Sequence, residues 1–227
     1  MDSQTIDVGG LNRFYTKIYA ILAGGILLSA LVAYLTLHQF YFQAFMFVIN
    51  FPLGFTGLWL VELALVLLLG IKGRTNPSIA IAGFVVYSIV NGFTLAFTLL
   101  AYADADVLGA LLTAAAMFIG LSVTGIFIKK DLTGVGHAAY SALIGIILGS
   151  LLNIFVLKSG PADLLISGLS ILIFSGITAY DNQRIRTVYL ESNGTAGLGV
   201  AIYFALQLYL DFINLFISIL RIFGKKR

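Results

Sequence analysis

The chain has 227 residues, of which 60% are hydrophobic and 10% charged, and its mean hydropathy is +1.03. Soluble domains carry about 25% charged residues, so a sizeable soluble domain is excluded and 1–227 reads as a single transmembrane bundle domain. The net charge of +3 comes from few basic residues at segment ends rather than a nucleic-acid-binding patch, and the absence of cysteine excludes disulfides, thiolate metal sites and cysteine catalysis.

The opening Met1-Asp2-Ser3-Gln4 is acidic and polar, unlike the basic start of a cleavable signal, so a short polar tail over 1–16 is expected. A spanning helix needs about 20 mostly apolar residues. Such runs fall at 17–37, 52–71, 78–101, 107–128, 139–157, 163–183 and 201–222, which predicts seven crossings. Residues 40–55 are apolar and aromatic, and read either as an interfacial stretch or as an early start to the second span. The joints carry the breakers and charges: Lys72-Gly73-Arg74-Thr75-Asn76-Pro77, Asp104-Ala105-Asp106, Lys129-Lys130-Asp131 and Ser159-Gly160-Pro161. His38 and His137 are expected at helix ends, which argues against a histidine metal site.

Lys and Arg gather at the N-terminus and in the second, fourth and sixth joints (Arg13, Lys17; Lys72, Arg74; Lys129, Lys130; Arg184, Arg186). These parts are therefore expected to face the cytoplasm, N-terminus included. The basic tail (Arg221, Lys225, Lys226, Arg227) conflicts with seven crossings, which would put it outside. Either the last segment does not fully cross, or the earlier helices overrule its charges.

Polar residues inside hydrocarbon are costly and informative. In the last span Gln207, Asp211, Asn214, Ser218 and Arg221 recur at steps of four and three and share one face. That face must look at other helices or at water. The sixth span repeats the pattern with Ser167, Ser170, Thr178 and Asp181, and the third offers Tyr87, Asn91, Thr94 and Thr98. Gly145 and Gly149 form a GxxxG that reads as helix packing, with Asn153 on the same face. Three acids fall within apolar segments. Glu62 has a structural reading as an ion pair with Lys72 or Arg74. Asp181 has one as an interfacial residue partnered by Arg184. Asp211, near the middle of its span, costs on the order of 3 kcal/mol to insert when charged.

The stretch Thr178-Ala179-Tyr180-Asp181-Asn182-Gln183-Arg184-Ile185 resembles the Tyr-Asp-x-Gln signature of the Bax inhibitor motif family. Leu208-Tyr209-Leu210-Asp211-Phe212-Ile213-Asn214-Leu215-Phe216 with Leu220-Arg221 resembles that family's C-terminal signature. Lys129-Lys130-Asp131-Leu132 and Leu151-Leu152-Asn153-Ile154-Phe155 match its middle region. The resemblance implies an all-α seven-helix bundle with the C-terminal helix central, in a bacterial cytoplasmic membrane. It also implies a pH-sensitive calcium leak governed by an aspartate pair, which maps onto Asp181 and Asp211. A second-span glutamate, matched by Glu62, and a basic residue, Arg74 or Lys72, are implicated with it. Other members of the family act on a membrane-bound AAA protease or on cell death.

Two carboxylates in a low-dielectric site resist double ionisation and titrate in coupled steps. Calcium prefers several hard oxygens, so Asp181 and Asp211 are candidate calcium ligands. Glu62, Asn91, Gln207 and Asn214 are candidates for the ion path. The reading is a calcium leak channel with no cofactor and no enzymatic activity. The alternative is a regulator of a membrane protease. A hydrolase using the acid pair is disfavoured, because neither signature contains Gly-x-Gly-Asp. A direct or water-bridged contact between the two aspartates requires the sixth helix to run past Asp181, to about Val188.

Overall fold

A computed structural model of the chain describes residues 8–225. Of the expected polar tail, residues 1–7 lie outside the described residues, as do Lys226 and Arg227. Residues 8–16 are already helical. Eight helices follow in order: α1 (Val8–His38), α2 (Tyr41–Asn50), α3 (Pro52–Leu68), α4 (Pro77–Leu99), α5 (Asp104–Phe127), α6 (Thr133–Leu152), α7 (Gly160–Glu191) and α8 (Leu198–Phe223). Short π-helical turns, Leu69–Gly73 and Asn153–Leu157, extend α3 and α6. Among the described residues seven helices are long and apolar enough to cross a membrane, and they match the seven predicted runs. The ambiguous aromatic stretch is split: Tyr41–Asn50 forms a separate helix, α2, too short to span at ten residues, and residues 52–55 open α3.

The joint before α4 shows how local chemistry sets a boundary. The Asn76 side-chain oxygen accepts hydrogen bonds from the backbone N–H groups of Ser78 (3.1 Å) and Ile79 (3.2 Å). Pro77 sits at the first helical position, where its missing N–H costs nothing.

The chain divides into two compact units. The first comprises residues 1–101 with 192–209, and the second 102–191 with 210–227. In the first, α1, α4 and the opening turns of α8 run in the same direction. Gly25 lies against Phe84, and Gly92 lies against the backbone of Ser29, where a Cβ would come within 2.5 Å of the carbonyl oxygen. Gly199 meets the carbonyl oxygen of Gly73 in the same way. Inside a bilayer the lipid tails are as apolar as leucine, so close backbone approach through small residues is what holds helices together.

In the second unit α7 packs on both α5 and α6. Gly125 sits against the backbone of Ala179, and Gly136 lies under the Tyr180 ring. The expected GxxxG contact is absent. A Cβ on Gly145 would meet nothing within 4 Å, and one on Gly149 would meet only the tip of Ile166 at 4.0 Å. These glycines lie on an open helix face, and the tight contacts fall at glycines with no recognisable spacing.

Helix α8 has 26 residues, about 39 Å at 1.5 Å per residue, enough to cross. It is the most buried of the seven spans, as expected of a central last helix. Its basic end meets acids of the same unit. Arg221 pairs with Asp163 at 3.3 Å, and the Lys225 backbone N–H donates to Asp106 at 2.9 Å. Of the charges that conflicted with seven crossings, that of Arg221 is thus answered by Asp163 at the start of α7.

Candidate functional site

Helix α7 continues ten residues past Asp181, to Glu191, so Asp181 lies within the helix rather than at its end. Helix α8 starts at Leu198, three residues before the predicted run 201–222. Asp211 consequently lies about 20 Å along it, near the middle. Both carboxylates are buried, Asp181 at 0% exposure and Asp211 at 3%, and each feels the other's field.

The two acids are served differently. The Tyr140 hydroxyl of α6 donates to both oxygens of Asp181, at 3.0 and 2.9 Å. Arg184, one turn on, adds a favourable charge. The Thr178 hydroxyl, which donates to the Phe174 carbonyl at 2.7 Å, lies beside Asp211. Its Oδ2 has no hydrogen-bond partner among the described residues. A buried carboxylate oxygen without a donor is costly, and a proton, a water or a cation would relieve that cost.

The rest of the Tyr-Asp-x-Gln stretch builds the frame around Asp181. Tyr180 covers Gly136. Asn182, fully buried, donates to Ser122 of α5 at 3.2 Å and to the Thr178 carbonyl at 2.8 Å. Gln183 accepts from the Leu132 N–H at 2.8 Å and donates to the Lys130 carbonyl at 2.9 Å, tying the α5–α6 loop to α7. In that loop the Thr133 hydroxyl, at 2.7 Å, and then the Thr133 N–H, at 2.9 Å, hold the exposed Asp131 carboxyl below the usual carboxylate range.

A second polar cluster lies in the first unit. Glu62 accepts from Thr94 at 2.7 Å and from Asn91 at 3.5 Å. Asn91 in turn accepts from the Tyr209 hydroxyl at 2.7 Å, and Tyr209 bonds Ser29 at 2.6 Å. The Ser29 hydroxyl also lies 2.7 Å from the Ser88 carbonyl, and its single hydrogen is shared between that oxygen and Tyr209. The expected ion pair of Glu62 with Arg74 or Lys72 is not formed among the described residues. Arg74 instead stacks its guanidinium 4.2 Å over the Tyr203 ring, and Lys72 is exposed. The short Thr and Asn side chains beside Glu62 satisfy it locally, so no long cation needs to reach in.

Of the other candidates, half-buried Gln207 belongs to the first unit. Asn214, in the second with Asp211, donates its amide to the Leu210 carbonyl at 2.7 Å. Among the described residues no three acidic or histidine side chains gather as metal ligands, so the carboxylate donors in the second unit's site are the two aspartates. Sequence reasoning missed Tyr140, Ser29, Tyr209, Ser122 and Asn182. The available signal for Asn182 was its position four residues after Thr178. For Tyr209 it was its place within the C-terminal signature.

A protein-family profile described as Inhibitor of apoptosis-promoting Bax1 (Bax1-I) matches residues 11–227. A membrane protein of Streptococcus pyogenes serotype M1 is 45% identical over 216 residues, covering 95% of this chain and 94% of the relative. The protein YrjE of Lactococcus lactis is 42% identical over 215 residues, covering 95% and 92%. The inner membrane protein YbhL of Escherichia coli K12 is 34% identical over 222 residues, covering 96% and 94%. With near-complete coverage on both sides and seven apolar spans in the fold, the chain belongs to the Bax1-I family and is an integral membrane protein.

Proposed function

We propose that the protein is a pH-responsive cation leak, with calcium as the transported ion, seated in a bacterial cytoplasmic membrane with its N-terminus inside. The observation that carries this reading is the acid pair: two carboxylates, buried within spanning helices and within reach of each other's charge, one with an oxygen that no donor among the described residues serves. Such a pair changes its charge in coupled steps as pH changes. Hard carboxylate oxygens suit calcium, and acids along a pathway select cations. Tyr140 and Thr178 position the two side chains, and Asn182 and Gln183 fix α7 against α5 and the α5–α6 loop.

Purified protein in liposomes loaded with a calcium indicator tests the reading. Calcium entry should exceed that of protein-free vesicles and depend on pH between 5 and 8, and Asp211→Asn should change that dependence. Flux equal to that of empty vesicles over the whole range overturns it. Stoichiometric capture of a membrane protease by a protein that passes no ion would instead favour the regulator.

A further inference from the structure

We infer that the first unit carries a binding site for an anionic phospholipid, with an acyl chain in a groove between α1, α4 and the start of α8 and the phosphate at Lys17 and Arg74. The groove has a volume of about 360 Å³ and is walled by Ile21, Gly24, Leu28, Ile81, Val85 and Ile202 among others. That size suits a small apolar ligand. Gly24, Ile81 and Val85 are exposed, so in a membrane protein the groove opens toward lipid.

The foot of the groove distinguishes an acyl chain with a charged head from a neutral one. Lys17, Ile21, Gly24 and Leu28 step by four, three and four along α1, so Lys17 lies on the groove stripe, one turn below it. Because α1 and α4 run in the same direction with Gly25 against Phe84, Lys17 is level with the first turn of α4. Lys17 is exposed and has no ion-pair partner among the described residues. Arg74 lies at the same end, held over Tyr203, the neighbour of the groove residue Ile202. The N-termini of α4 and α8 add positive potential there. Glu62 is the one acid among the described residues of this unit, and it is bonded to Asn91 and Thr94, about 15 Å further along α4 than Ile81. Among the described residues of this unit the foot is thus basic with no acid opposing it, as expected where lipid headgroups carry negative charge.

Native mass spectrometry or a fluorescence titration of the full-length protein, with phosphatidylglycerol and phosphatidylcholine of identical chains, tests the site without any ion flux. Phosphatidylglycerol should bind more tightly. Gly24→Leu, whose added side chain meets open space rather than the fold, should weaken it at least tenfold by filling the groove. Lys17→Gln should weaken phosphatidylglycerol roughly fivefold and leave phosphatidylcholine unchanged. Inorganic phosphate should not compete. Gly145→Leu, also into open space but in the second unit, serves as the control and should bind as the parent does. Binding unaffected by both Gly24→Leu and Lys17→Gln overturns the proposal, as does full competition by inorganic phosphate.

Discussion

Tyr140 and Asp181 face each other across α6 and α7, and one phenol hydroxyl serves both carboxylate oxygens at 3.0 and 2.9 Å. Helix α6 carries none of the acids of the site, yet it controls how one of them is solvated.

Tyr140→Phe removes that donor and keeps the ring that meets Tyr180 edge-on at 6.3 Å. A hydrogen bond to a charged group contributes about 1.5–3 kcal/mol, equivalent to about one to two pH units. If the protein is the proposed calcium leak, the pH profile of its flux should move by about that much while the fold persists. An unchanged profile in vesicles would show that Asp181 does not set the pH response.

Asp211→Asn supplies an amide where a carboxylate oxygen lacks a donor. If the pair is the sensor, this variant should flatten the pH dependence of flux and raise, or leave unchanged, thermal stability in detergent. A profile parallel to that of the parent protein would refute the role.

Gly125→Ala should be strongly destabilising, because its Cβ would run into the backbone of Ala179, which has no room to give. Overpacking of this kind costs about 1–3 kcal/mol. Gly145→Ala should be neutral, since its Cβ meets nothing. Melting of the two variants side by side checks the packing and rejects it if Gly145→Ala is the more damaging.

Tyr209→Phe should cost about 1–3 kcal/mol, since the buried Asn91 oxygen loses its donor and Ser29 a partner. The chain of hydrogen bonds through Glu62 lies in the other unit from the aspartates. Its loss should therefore lower the melting temperature while leaving the midpoint of the flux profile in place.

Asp131 gives a pH dependence outside the membrane. Its carboxyl is held below the ordinary carboxylate range by the hydroxyl and backbone N–H of Thr133. A depressed folded value means that the interaction is fully present above the unfolded value and is lost as pH falls below about 4. Protection of the amides at the start of α6, taken relative to the intrinsic exchange rate at each pH, should therefore fall in acid, and Thr133→Val should remove the acid-dependent part. Protection that does not change with pH in the parent protein would count against it.

The seven spans were legible because crossing a bilayer demands a long apolar run with every backbone group bonded inside the helix, a requirement visible in one dimension. The polar stripe of α8 was legible for a similar reason, since helical periodicity alone puts Asp211, Asn214 and Ser218 on one face, although Asn214 is only half-buried there. Partners were not. Glu62 was read against Lys72 and Arg74 by charge and nearness in sequence, and it is satisfied by Thr94 and Asn91, 32 and 29 residues away. Gly145 and Gly149 had the spacing of a packing motif and touch almost nothing, while Gly92 and Gly125 make the close contacts. Sequence by itself determined which segments enter the membrane and which acids they carry, because insertion is a property of each segment alone. Only the tertiary structure decided that Tyr140 attends Asp181 and that Asp211 keeps an oxygen unserved, because a hydrogen bond between helices depends on their depth and rotation, which packing contacts set.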